Sequence, residues 1–112
     1  MADPRLRQLT IKTGVVKRLT KEKTVCEKEV LTEQNRLERF KSEGADEHVL
    51  KKQEEVISEC LMMLPDTLRR LKKELEALEN FLQDETELKE TKEYETATQV
   101  VNDAKEVLVQ KD

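Results

Sequence analysis

The sequence has little that would interrupt a helix. Glycine and proline occur twice each, and the aromatic set is two phenylalanines and one tyrosine. Low glycine and proline exclude collagen-like and low-complexity chains, and so few aromatics leave no stacking platform for single-stranded nucleic acid. Cysteine is also scarce. Cys26 and Cys60 are far apart in sequence and in no metal-type spacing, so they read as two buried thiols in a reducing compartment. No apolar run reaches the length of a signal peptide or a membrane span, and the protein is expected to be soluble and intracellular.

What remains is charge and aliphatic periodicity. Charged residues make up 41% of the 112 residues, which with abundant Ala, Glu, Lys, Leu and Arg is the composition of long helices in a single domain. Disorder would be preferred for so polar a chain if its apolar residues had no period. They have one.

Three helices are expected, over about 4–42, 47–82 and 87–109. Asp3 can cap the first, and Pro4 suits the first helical position, where a missing N–H costs nothing. Val16, Leu19, Lys23, Cys26, Val30, Glu33, Leu37 and Phe40 then follow alternating steps of three and four, a coiled-coil seam with two charged exceptions. Leu6 and Leu9 extend it less regularly. "SEGAD" ends this helix, with Gly44 as left-handed terminator and Asp46 as the next cap.

The second seam runs through Leu50, Gln53, Ile57, Cys60, Leu64, Leu68, Leu71, Leu75, Leu78 and Leu82. Two consecutive steps of four, from Cys60 to Leu68, form a stutter that coincides with Pro65, so a kinked second helix is expected there. Replacing Pro65 by Ala should straighten it. The third helix has three candidate starts, an Asp84–Glu87 capping box, Thr86 or Thr91, and its face carries Tyr94, Ala97, Val101, Ala104 and Leu108. Short connections make neighbours antiparallel, so the fold class is all-α, an elongated, coiled-coil-like antiparallel three-helix bundle.

The third helix is the shortest and would leave the hairpin near Gly44 as a two-helix arm, with Leu37, Phe40, Leu50 and Ile57 incompletely covered. Lys23, opposite Pro65, is expected to reach solvent from the seam edge; a carbonyl freed by the proline is the alternative partner for its ammonium. Met62 and Met63 are expected to fill the core beside the kink, with a soft protein-binding surface as the other reading.

Chemistry is sparse. His48 stands alone beside a helix start with no nucleophile at dyad spacing. Gly14 followed by Lys17 lacks the second glycine of a phosphate loop. The carboxylates are spread over solvated faces and make no metal cage. No catalytic residue, metal or cofactor is assigned.

Charge is more informative. Arg5, Arg7, Lys12, Lys17, Arg18, Lys21 and Lys23 crowd the N-terminal segment, whereas Glu85, Glu87, Glu90, Glu93 and Glu95 make the last third acidic. Folding back brings "RRLKK", residues 69–73, level with Lys17 and Arg18, so one end is expected to carry a basic patch beside an acidic helix. A solvated helix face is the plain alternative. The net charge of −4 disfavours nucleic acid as a partner.

"MADPRLRQLTIKTGVVKRLTKEK", "KKQEEVISECLMMLPDTLRRL" and "KEYETATQVVNDAK" resemble the tubulin-specific chaperone A family, also called tubulin folding cofactor A. "IKTGVVKRL" and "MMLPD" carry the most specific part of the resemblance, because helix periodicity demands neither. Cys26 stands where the family often has an aromatic residue before "EKE". The resemblance implies a small cytosolic, cytoskeleton-associated three-helix protein that is not an enzyme. It would capture β-tubulin folding intermediates released from the chaperonin and pass them toward heterodimer assembly, meeting other tubulin-folding cofactors indirectly. Family members are monomers or homodimers.

The expected partner contacts are Lys17, Arg18, Lys21, Arg69, Arg70 and Lys73, whose charge would steer an acidic partner. Phe40, Leu50 and Ile57 form a second candidate surface on the thinly covered arm. The alternative function is a structural coiled-coil adaptor or homodimerisation module built on the same seams.

Overall fold

In the computed structural model, which describes residues 3–109, the chain forms three α-helices: α1 (Pro4–Ser42), α2 (Glu47–Asp84) and α3 (Lys92–Val109). The Asp3 carboxylate accepts the Arg5 backbone N–H at 2.9 Å, satisfying one of the donors that a helix start leaves without a partner. At the far end of α1, Gly44 has φ +73°. The Ala45 N–H returns to the Phe40 carbonyl at 2.9 Å and the Gly44 N–H to the Lys41 carbonyl at 3.2 Å, the double closure of a Schellman motif. Asp46 then caps α2 by accepting the His48 N–H at 3.1 Å.

α2 runs through Pro65 as one helix. Proline has no N–H to give to the carbonyl four residues back, that of Leu61. Leu61 is 45% exposed, on a turn that water reaches.

The third helix starts later than expected. Residues Thr86–Leu88 form a single 3-10 turn, and α3 opens at Thr91, whose Oγ1 accepts the Tyr94 N–H at 3.2 Å and donates to the Leu88 carbonyl at 2.6 Å. Of the three candidate starts, Thr91 is therefore the cap. The 3-10 turn exists to seat Leu88, which is buried in the core and would lie off the face of a helix continued from residue 87.

The chain divides into two compact units. One contains α1 as far as Lys21 together with residues 68–109, and is an antiparallel three-helix bundle. Its core joins Leu9, Val16 and Leu19 of α1, Leu71, Leu75, Leu78 and Leu82 of α2, Leu88, and Ala97, Val100, Val101 and Ala104 of α3. Small residues on α3 let it approach the two longer helices closely. The Tyr94 hydroxyl donates to the Leu82 carbonyl at 3.0 Å, satisfying an acceptor at the end of α2, and Lys105 pairs with Glu79 at 3.0 Å.

The other unit, Glu22–Thr67, is a helical hairpin around Gly44. Its buried hydrophobic residues are Cys26 and Ile57. Across its seam Gln53 donates to the Glu33 carbonyl at 2.9 Å and to the Glu33 carboxylate at 2.6 Å. One heptad further on each helix, the Cys26 thiol donates to the Cys60 carbonyl at 3.5 Å. Two of the three polar positions of the aliphatic pattern, Glu33 and Gln53, thus meet each other.

Candidate partner-binding surfaces

The six basic candidates all belong to the three-helix unit, and all are exposed: Lys17, Arg18 and Lys21 on α1, Arg69, Arg70 and Lys73 on α2. Within that unit α1 and α2 run antiparallel. Arg5 at the start of α1 pairs with Glu85 at 2.9 Å just past the end of α2, and Lys12 lies 5.9 Å from the Phe81 ring centroid. Counting inward from those contacts brings Lys17 and Arg18 to the level of residues 72–76 and Lys21 to that of residues 69–72, so Lys21, more than Lys17 and Arg18, stands level with Arg69 and Arg70. Helical spacing sets Lys17 over Lys21 and Arg69 over Lys73, four residues apart on each helix. Arg18 and Arg69 are also engaged in interactions of their own.

Not all of the N-terminal basic charge is available. Arg5 is held by Asp3 at 2.9 Å, Glu85 at 2.9 Å and Glu87 at 3.2 Å. Hydrogen bonds from the Arg5 side chain, then from its backbone, hold the Asp3 carboxyl below its ordinary value, and the three carboxylates push the Arg5 guanidinium up. In this cluster one guanidinium faces three carboxylates, so the basic surface begins further along α1.

The apolar candidates lie in the hairpin. Phe40 and Leu50 are half-buried, as expected of residues with one neighbouring helix. Ile57 is more enclosed than expected, at 9% exposure, because it sits on the seam itself. It forms the floor of a groove of about 370 Å³ lined by Gln34, Asn35, Leu37, Glu38 and Glu54.

Two further expectations are corrected here. Lys23 does not reach solvent: it is 4% exposed, with its ammonium 2.9 Å from the Glu27 carboxylate one turn along. The carboxylate supplies the counter-charge that lets the aliphatic stem stay in the seam. Met62 and Met63 do not fill the core, being 75% and 61% exposed. The hydrophobic stripe of α2 passes through Cys60 and Leu64, and the residues between them face outward.

With Leu61 beside them, these methionines form a run of three exposed apolar side chains, and Val25, Leu31, Val49 and Val56 are exposed elsewhere on the hairpin. Periodicity alone does not reveal this surface, since it credits apolar residues to a core. The available signal was their position off the seam. His48 is exposed at the start of α2. Among the described residues no three His, Cys, Asp or Glu side chains gather as a metal site, and no helix is long and apolar enough to cross a membrane.

Helices, caps and seams together define an all-α antiparallel three-helix bundle. A family model described as tubulin binding cofactor A matches residues 4–101. The tubulin-specific chaperone A of Gallus gallus is 47% identical over 105 residues, which cover 94% of this chain and 97% of that protein. The crystal structure of tubulin folding cofactor A from Arabidopsis thaliana superposes with a TM-score of 0.84 at 39% identity, over 92% of this chain and 97% of the other. The structure of human tubulin chaperone cofactor A does so with a TM-score of 0.80 at 40% identity, over 91% and 99%. The chain belongs to the tubulin binding cofactor A family.

Proposed function

We propose that this protein is a tubulin-folding cofactor of the cytosol. It captures β-tubulin folding intermediates released from the chaperonin, keeps them from aggregating, and passes them toward assembly of the α/β heterodimer, without chemistry of its own. The observation that carries this reading is the family match over residues 4–101. The surfaces support it in kind. A folding intermediate exposes apolar area that its missing neighbour would cover, and the hairpin offers exposed Leu61, Met62 and Met63 on flexible or branched side chains that adapt to irregular partners. Phe40, Leu50 and the groove over Ile57 extend that offer. Lys17, Arg18, Lys21, Arg69, Arg70 and Lys73 supply a basic surface for an acidic partner, accelerating encounter in a salt-dependent way.

The test is a native-gel shift with chaperonin-released β-tubulin, using α-tubulin and assembled heterodimer as controls. A shift with β-tubulin alone is expected. Arg69→Glu combined with Arg70→Glu should weaken it, as should raised salt; capture unchanged by that charge reversal, with helicity retained, removes the basic surface from the account. The same exposed apolar residues favour a second reading, a homodimer or coiled-coil adaptor joined through the hairpin. Light scattering decides: a monomer at all concentrations leaves the hairpin open to a foreign partner.

A further inference from the structure

Cys26 and Cys60 are separated by most of the hairpin in sequence, yet the fold places them face to face. Cys26 lies on the seam at 7% exposure, and its thiol donates to the backbone carbonyl of Cys60 at 3.5 Å. The register that brings them together is the one that pairs Glu33 with Gln53, exactly one heptad away on each helix and held by two hydrogen bonds. The juxtaposition is therefore built into the seam.

We propose that Cys26 and Cys60 form a thiol pair that closes to an intramolecular disulfide on exposure to a low-molecular-weight disulfide such as oxidised glutathione, stapling the two helices of the hairpin. The sulfur of Cys26 already rests against the backbone of the residue it would join, so closure asks for a χ1 rotation and a small approach of the two backbones. The two cysteines are unequal. Cys60 is half-buried and open to a reagent from solution, whereas Cys26 is enclosed. Burial, and then the neighbouring Cys60, push the Cys26 thiol up, which keeps it protonated and bonded to the Cys60 carbonyl until a partner arrives.

This ordering assigns the steps. The Cys60 thiolate attacks one sulfur of oxidised glutathione; the glutathione S–S bond breaks, a mixed disulfide forms on Cys60, and one glutathione leaves as a thiolate that takes up a proton. Cys26 then gives up its proton and attacks the Cys60 sulfur, and the second glutathione leaves in the same way. The protein loses two electrons and two protons, and oxidised glutathione becomes two molecules of the reduced thiol. The staple falls in the unit whose own core is thin, where a covalent link limits opening of the hairpin most.

The full chain should be incubated with graded ratios of oxidised to reduced glutathione, quenched in acid, and read by intact mass, non-reducing peptide mapping and thermal unfolding. The expected product is a monomer lighter by two hydrogens, with the peptides of Cys26 and Cys60 joined. Its Tm should rise on the order of 10 °C and return when the bond is reduced. Cys26→Ser should stop at one glutathione on Cys60, and Cys60→Ser should react roughly ten times more slowly or worse, because its remaining thiol is enclosed. Helicity by circular dichroism shows that each variant is folded. The proposal is overturned by two stable glutathione adducts on the native chain, by chain-to-chain disulfides as the main product, by no reaction where the urea-unfolded chain oxidises, or by a closed form whose Tm is unchanged or lower.

Discussion

The three-helix unit and the hairpin draw on the same two long helices, with the same kind of seam, and differ in having or lacking a third partner. Where α3 is present, leucines at 0% exposure such as Leu9, Leu71 and Leu78 line up with Ala97 and Ala104 in one continuous core. In the hairpin the buried hydrophobic residues reduce to Cys26 and Ile57, and Val25, Leu31, Val49, Val56, Leu61, Met62 and Met63 are exposed. Two helices can enclose only the line along which they touch. Side chains flanking that line have water on their other side. The hairpin compensates with polar groups: Gln53 on Glu33 crosses the seam and sets register more than it adds stability, while Glu27, one turn along the same helix, neutralises the enclosed Lys23.

The sharpest way to break this contrast is to cut the same chemistry from each unit. Leu78→Ala should cost roughly 2–5 kcal/mol, because a fully enclosed leucine leaves a cavity, whereas Val56→Ala should stay within about 0.5 kcal/mol at an exposed site. Urea midpoints measure both, and equal losses would mean that the two units are packed alike. Next in size is Pro65→Ala, which restores an N–H for the Leu61 carbonyl and should stabilise α2 by about 1–3 kcal/mol. Slower amide exchange through residues 61–67 would show the gain confined to the hairpin. A crystal structure of the variant tests whether α2 straightens there.

Gln53→Ala should cost about 1–2 kcal/mol, since it removes both hydrogen bonds to Glu33 and leaves its partly enclosed carboxylate with only the longer contact to Arg36 at 3.3 Å. Thermal unfolding would detect it, and Gln53→Leu should recover part of the loss by making the seam apolar. Gly44→Ala should cost about 1 kcal/mol; nothing obstructs a Cβ there, so the whole effect comes from the left-handed backbone. The smallest effect belongs to the Arg5 cluster. The Asp3 carboxyl titrates lower in the folded protein than in the unfolded chain, so its contribution is present at neutral pH and is lost as pH falls below about 4. Arg5→Ala should flatten that part of the pH–Tm curve.

Much of this was legible in the chain. Asp3, Gly44 and Asp46 announce their helix ends because each acts through its own backbone or through a residue two or three positions away. The seam residues from Val16 to Cys26 and from Leu71 to Leu82 follow from periodicity, for which local spacing suffices. The start of α3 was not decidable from the three candidate caps, since what selects Thr91 is the burial of Leu88 against residues distant in sequence. Of the candidate surfaces, the basic residues were readable as exposed because an ionised side chain keeps its charged end in water. Met62 and Met63 were misplaced because hydrophobicity records what a side chain prefers and not which face the helix turns outward.

The sequence by itself determined the three helices, the ends marked by Asp3, Gly44 and Asp46, and the family, because these rest on local hydrogen bonding, on heptad spacing and on motifs contiguous along the chain. Only the tertiary structure decided which apolar residues are covered, that Lys23 is enclosed, and that Cys26 meets Cys60. Those outcomes depend on the register between helices and on how far α3 reaches, and register is a property of pairs of segments that no single stretch of sequence carries.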